Sequence, residues 1–317
     1  MSAARSNPVR LTDSQAIVAP AFTGRKLLTD YSLNRLVRYI DWTPFFQTWM
    51  LAGRFPAILD DEVVGTEARK LYEDALKQLD WIVSGKLLKP KAVVGFWNAR
   101  RSGDDVILEN PDNKIIETLH FLRQQNSKAA GAPNFCLADF ISNEPGKDYI
   151  GLFAVTAGAG LDELVNEFRR QKDDYSEIMV KALADRLAEA FAECLHEDVR
   201  KNIWGYAPAE SLDNEALISE QYQGIRPAPG YPGCPDHTEK QKIFDLLKAE
   251  EAGISLTESM AMWPASSVSG YYFASAQARY FGLGKIAKDQ VEDYAIRKKW
   301  SLEEAERWLA PVLGYSN

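Results

Sequence analysis

Histidine and cysteine are scarce in this chain, with three of each in 317 residues. Cys136, Cys194 and Cys234 are odd in number, far apart and form no C-x-x-C pair. That usage fits a reducing cytosol rather than a disulfide framework, so a cytoplasmic location is expected. Cys194 and His196, taken with Cys234 and His237, form a nominal metal set. Two ligands so close together midway along a helix make poor geometry, and Cys194 belongs to an apolar stripe, so no metal site is expected. A G-x-S-x-G elbow and a P-loop are both missing. No window of about 18 apolar residues occurs, which excludes a spanning helix. Residues 1–15 carry no apolar run of signal-peptide type. Positive charge is also in deficit: 37 Lys+Arg stand against 45 Asp+Glu, a net charge of −8. A nucleic-acid binder would show the opposite, a basic face.

What is present is an ordinary globular composition, 46% hydrophobic and 11% aromatic, long enough to bury a core without staples. Residues 1–30 are polar and weakly patterned and read as an arm or linker, leaving 31–317 as one domain. Leu33, Leu36, Val37 and Ile40 have helical spacing, and a second short helix follows Thr43-Pro44. Residues 61–84 predict a long amphipathic helix ended by Gly85 as a C-cap glycine. Short β-type runs then cover 92–97, 106–108, 115–122, 135–141 and 149–155. The helical period returns from Asp174 to about Trp204, with Ile178, Ala182, Leu183, Leu187, Ala190, Phe191, Cys194 and Leu195 on one stripe. A second β region covers 268–273 and 280–283. Asp236 with Glu239, and Ser301 with Glu304, have the spacing of capping boxes. Strands without long helices between them imply a mainly antiparallel sheet, hence an α+β fold.

Three motifs have chemical content. Thr156-Ala157-Gly158-Ala159-Gly160 lies between a strand and a helix, but Glu163 occupies the third glycine position of a dinucleotide fingerprint, so a plain turn is expected. Asp185 and Glu189 share one helix face. The third is Gly224 to Pro235, with four prolines and three glycines in twelve residues. Proline fixes φ and glycine permits close backbone approach, so this loop can hold Arg226, a fork suited to a carboxylate, in one orientation. A structural connector carrying an arginine ion pair satisfies the same facts.

Arg226-Pro227-Ala228-Pro229-Gly230-Tyr231, followed by Cys234 to Lys240, resembles the R-x-x-x-G-Y region of a known family. That family is the S-adenosylmethionine-binding activation domain of cobalamin-dependent methionine synthase. Tyr39 to Phe46, Asp173 to Tyr175, Ala182 to Ala192, Glu258 to Pro264 and Gln290 to Tyr294 extend the similarity from about residue 33 to the C-terminus. The resemblance implies a single C-shaped α+β unit with a bent antiparallel sheet and flanking helices. It implies a module, or a split subunit, that presents the methyl group of S-adenosylmethionine for reductive methylation of cob(II)alamin. Its partners would be the cobalamin-binding module of methionine synthase and flavodoxin or an equivalent reductase. By the same resemblance Asp41 meets the ligand's ammonium, Arg226 its carboxylate, and Tyr280 and Phe281 the adenosine. Glu220, Glu189 and Tyr231 stand nearby, and Asp185 and His237 face the docked cobalamin module. No general acid or base is implied, because the sulfonium is already a good leaving group and the task is positioning. The alternative is a module that senses S-adenosylmethionine and regulates a partner without methylating cobalt.

Overall fold

The computed structural model describes residues 1–11, 17–29, 31–129 and 131–315. Its sheet contains β1 (Gly24–Leu28), β2 (Lys91–Ser102), β3 (Asp105–Glu109), β4 (Ile115–His120) and β5 (Asp148–Thr156). After a ribbon of β6 (Ser255–Leu256) and β7 (Met262–Trp263) comes the last sheet strand, β8 (Ser267–Tyr272). The spatial order is β4-β3-β2-β5-β8, every pairing is antiparallel, and the sheet is open. One edge of β2 pairs with β5 from Lys91 to Ala99. Its other edge is shared end to end by β1, over Ala92 to Phe96, and β3, over Asn98 to Ser102.

Side chains alternate across a strand, so β2 and β5 feed two cores at once. Ala92, Val94, Phe96, Phe153 and Val155 enter one. The helices α2 (Leu33–Val37), α3 (Thr43–Thr48), α4 (Gly65–Ser84), α5 (Leu161–Gln171) and α6 (Asp174–Asp198) pack there, after a short α1 (Ser2–Arg5), with α7 (Asn214–Ile218) at the margin. Val93, Trp97, Ala99, Leu152 and Ala154 enter the other, against α8 (Glu239–Leu247) and a 3-10 turn at Leu137–Phe140. A third cluster joins α9 (Lys288–Lys298) and α10 (Leu302–Leu309) to Leu122 and Leu283. The result is the expected α+β domain with a mainly antiparallel sheet and helices on its flanks. Among the described residues no helix is long and apolar enough to cross a membrane.

Several local expectations are corrected. Within the stretch read as an arm or linker, residues 24–28 are β1, and Arg5 pairs with Asp104 at 2.7 Å and Asp293 at 2.6 Å. β1 is a half-exposed edge strand containing Arg25-Lys26, which is why it carries almost no apolar signal. Residues 12–16 and 30 of that stretch lie outside the described residues. α4 begins at Gly65 rather than 61, and Val63 is exposed. At its end Gly85 keeps an ordinary φ of −77°, while Lys86 takes the left-handed position and Leu87 donates to the Ile82 carbonyl, a Schellman closure.

The run 135–141 is not a strand. Residues 136–141 are all buried, so period cannot tell strand from helix, and the backbone closes i→i+3 bonds instead. Residues 280–283 are irregular too. Their partner is the proline-rich loop, which supplies carbonyls (Pro232 accepts from Leu283 at 2.8 Å) but lacks the N–H groups of a ladder. Asp236 does not cap α8, which starts after Thr238; its carboxylate accepts from Thr238 and from Tyr294 Oη at 2.6 Å. Ser301 does cap α10, accepting from the Glu304 N–H. Ile178 leaves the α6 stripe and is exposed.

The glycine turn before α5 is structural. Gly160 has φ +96°, and a Cβ there would stand 2.4 Å from the Leu87 carbonyl oxygen. Lys89 donates to the Ala159 carbonyl in the same turn. Gly160→Ala therefore forces a left-handed alanine against backbone, and a loss of about 2 kcal/mol is expected in urea unfolding. An unchanged midpoint would show that the α5 turn can shift freely away from Leu87.

Candidate functional site

A cleft of about 460 Å³ opens between the Gly/Pro loop, the middle of α6 and residues 280–282. Its walls include Glu189, Glu220, Arg226, Tyr231, Tyr280 and Phe281, so six of the seven residues predicted from the sequence meet in one place. Phe153, Val268, Leu137 and Ile225 add an apolar floor from the sheet and its neighbours. The volume falls within the range of small-molecule sites, about 300–1,000 Å³. Asp41 is not on these walls. Its Oδ1 accepts from the Thr43 N–H at 2.9 Å, in the turn that starts α3. That turn lies beside α7, where Asn214 Nδ2 donates to the Ile40 carbonyl at 3.4 Å, and α7 leads directly into Glu220.

The loop is built for close contact. Gly224 and Gly230 have φ of +80° and +98°. A Cβ on Gly230 would collide with the His237 ring, and one on Gly233 would press on the Phe281 carbonyl at 3.0 Å. The Tyr231–Cys234 bridge and the bond from Gly230 N–H to the Cys234 carbonyl at 2.8 Å close the loop on itself. Cys234 Sγ donates to the Ala228 carbonyl. Cys194 is buried, and burial pushes its thiol up to about 12. Both cysteines thus have structural surroundings.

Arg226 is the cation of the cleft, with 21% of its side chain exposed. Its Nη1 lies 2.7 Å from Glu193 Oε2 and donates to Tyr222 Oη at 2.8 Å. Its Nε and Nη2 have no protein partner among the described residues. Burial opposes its charge, but Glu193, with smaller contributions from Tyr222, Tyr280 and Glu189, together outweighs it, so its pKa stands above the ordinary arginine value. Glu220, in a left-handed conformation at φ +56°, has its carboxyl raised by desolvation and by Glu193, against the pull of Arg226. Tyr280 Oη accepts from the Arg226 backbone N–H at 3.0 Å and lies 3.2 Å from Tyr222 Oη. Phe281 stacks on Phe135 with centroids 5.4 Å apart.

The sequence reading missed a buried polar group beneath the cleft. Asp185, Glu189, Glu193, His196 and Arg200 follow one another at intervals of four, four, three and four along α6 and the π-turn Val199–Ile203. That spacing keeps them on one face. Asp185 is exposed and accepts from Ser266 Oγ at 2.6 Å. Glu193, His196 and Arg200 are buried. Extending the Asp185–Glu189 interval by further turns would have found them. Arg200 is clamped by Glu210 through Nε at 2.8 Å and Nη2 at 2.7 Å. His196 stacks on Tyr272 with centroids 5.2 Å apart and lies 3.4 Å from Tyr206 Oη through Nε2. At the rim, Tyr231 is 59% exposed, and Lys240 Nζ lies 2.9 Å from Nδ1 of the exposed His237.

Burial, with the charges of Arg200 and Arg226, holds the His196 pKa well below the ordinary imidazole value. His237 is lowered in the same sense, by desolvation and Lys240. A histidine held neutral in the fold stabilises above its unfolded pKa and loses that contribution as pH falls, because the unfolded chain takes up the proton first. Unfolding free energy should therefore fall as pH drops below about 6.5, with buried His196 contributing up to about 1.4 kcal/mol per unit and exposed His237 a smaller part in the same direction. His196→Gln should remove one proton's worth of that slope between pH 6.5 and 5; an identical slope would contradict a neutral His196.

The sequence profile described as vitamin B12 dependent methionine synthase, activation domain, matches residues 32–299. A solved structure, described as the MetH reactivation domain bound to AdoHcy, is 52% identical over 100% of this chain and 98% of its own, with a TM-score of 0.94.

Proposed function

This chain belongs to the family of vitamin B12-dependent methionine synthase activation domains, and from that membership we propose that its cleft binds S-adenosylmethionine and presents the ligand's methyl group to cobalamin held by a partner module. The observation that carries the reading is Arg226, half-tied inside the protein and half-open to a cleft that also contains carboxylates and aromatic rings. An amino-acid zwitterion needs that combination. A planar fork takes the α-carboxylate, and a carboxylate takes the α-ammonium. AdoHcy, to which that relative is bound, is the product left when S-adenosylmethionine gives up its methyl group.

In this reading Glu189 and Glu220 supply negative charge along the wall. Tyr280 and Phe281 flank the adenosine, partly through their backbone. Asp41 reaches the ammonium from the α3 turn, beside the segment that leads to Glu220. Tyr231, Asp185 and His237 form the face toward the cobalamin module. A docked cobalamin module would supply the nucleophilic metal, once reduced by one electron from flavodoxin or an equivalent reductase. The work of this chain is to fix the sulfonium so that its methyl group points outward along the S–C axis. The deprotonating residues of an acid–base site are not required, in keeping with the scarcity of histidine.

Titration calorimetry of the purified chain with S-adenosylmethionine is expected to show saturable binding. Arg226→Ala and Asp41→Ala should each weaken it by about 1.5–3 kcal/mol, the range for a hydrogen bond to a charged group. Parent-like binding by either variant would remove that residue from the site. Mixing the chain with a cobalamin module, a reductant and S-adenosylmethionine should yield methylcobalamin in its absorption spectrum. Binding without methylcobalamin would favour a sensing module instead.

A further inference from the structure

Tyr222 lines no part of the cleft, yet it touches the side chain that defines it. Its Oη accepts from Arg226 Nη1 at 2.8 Å and lies 3.2 Å from Tyr280 Oη, which in turn accepts from the Arg226 backbone N–H at 3.0 Å. Guanidinium, two phenols and the arginine's own amide thus close a hydrogen-bonded ring. The Tyr222 ring is fixed in turn. The Arg200 guanidinium carbon sits 4.3 Å from its centroid, and His196 meets it edge-on at 4.8 Å. Arg200 cannot wander, because Glu210 clamps it. From the other side Glu193 places Oε2 2.7 Å from Arg226 Nη1 and Oε1 3.7 Å from Arg200 Nη1.

These contacts have one geometric result. The hydrogen bond to Tyr222 and the closest approach of Glu193 both fall on Nη1, which leaves the Nε–Nη2 edge of the fork without a hydrogen-bond partner among the described residues. An arginine side chain carries about 2 kcal/mol of rotamer entropy, which a fixed fork has already lost before any ligand arrives. We propose that Tyr222 is a positioning residue for carboxylate recognition: with Glu193 as counter-charge, it holds the Arg226 fork in the orientation that meets the ligand's α-carboxylate. The inference rests on the reading of Arg226 given above. It makes a further claim, that orientation rather than net positive charge selects the ligand.

The test uses two ligands that differ in the amino-acid part, S-adenosylhomocysteine and 5′-methylthioadenosine, titrated into the full chain and its variants. Tyr222→Phe preserves ring, volume and charge and deletes only the hydroxyl. It should weaken S-adenosylhomocysteine about tenfold, the equivalent of one hydrogen bond to a charged group, and change methylthioadenosine less than about twofold. Equal losses for both ligands would mean a general packing role and would overturn the proposal; so would no loss for either. Glu193→Gln keeps an acceptor but removes the charge, and covers the case in which the first variant misfolds. If it tightens S-adenosylhomocysteine while Tyr222→Phe is neutral, net charge recruits the ligand and the orientation claim fails. If Tyr222→Phe misfolds and Glu193→Gln weakens S-adenosylhomocysteine selectively, the orientation claim stands; beside a folded but neutral Tyr222→Phe, the proposal is overturned all the same. Arg226→Ala separates the two levels: should it affect both ligands equally, the carboxylate role of Arg226 falls first.

Discussion

A guanidinium taken out of water must have a carboxylate beside it, and in this molecule that requirement ties the site together. Arg226 belongs to a loop, Glu193 to the longest helix, Arg200 to the π-turn at that helix's end and Glu210 to the segment beyond. Two cations and two anions therefore bind four stretches of chain. Tyr222 separates the two guanidinium groups and offers each a favourable surface: a ring face to Arg200 and an oxygen to Arg226. Removing Glu193 would leave the Arg226 guanidinium without its paired carboxylate, and removing Glu210 would leave Arg200 only the 3.7 Å approach of Glu193. The cleft above is shaped by this arrangement more than by its own walls.

The loop that carries Arg226 reaches the same rigidity by different means. It cannot join the sheet, because its prolines lack donors. It is held instead by a reciprocal pair of bonds between Ile225 and Phe273 just past β8, by the Tyr271 and Leu283 N–H groups donating to the Pro227 and Pro232 carbonyls, and by the packing of Gly230 on His237 and of Gly233 on Phe281. Farther out, Lys298 Nζ lies 3.0 Å from Asp236 and 2.6 Å from Glu239, so α9 anchors the loop's exit. A segment without regular structure is thus ordered by contacts along its whole length. That is what a binding surface requires if ligand capture is not to be charged for loop ordering.

How much of this could be read from residues alone depended on whether the signal was local. The central strands, α6 and the closing helices were legible, because their periods are intact over several turns or alternations. Arg226, Tyr280 and Glu220, which line one cleft, were singled out through family resemblance, which carries over positions expected at a ligand. Tyr222, Glu193 and Arg200 were not, since they act on Arg226 rather than on anything outside the protein, and their partners lie up to tens of residues away. β1 was invisible for a related reason: an edge strand needs few apolar side chains. The run 135–141 misled because Asp139, fully buried, is paid for by Arg123 and Arg101 across the fold, a pairing that no window of seven residues contains.

The row from Asp185 to Arg200 also works as a ruler. At about 1.5 Å of rise per residue, it spans about 22 Å of a nearly continuous helix. Its outer mark, Asp185, is at the solvent, and its inner marks are buried under the cleft. The separation between Asp185 at the surface and Glu193 under the cleft is therefore set by helix pitch. Such a scale has no fine adjustment. Inserting one residue between Asp185 and Glu193 would turn the outer mark by about 100° and face it elsewhere. Only a change of whole turns would keep the marks aligned, and that would move the surface by several ångströms. The distance between the outer carboxylate and the buried one is thus quantised in turns of the helix.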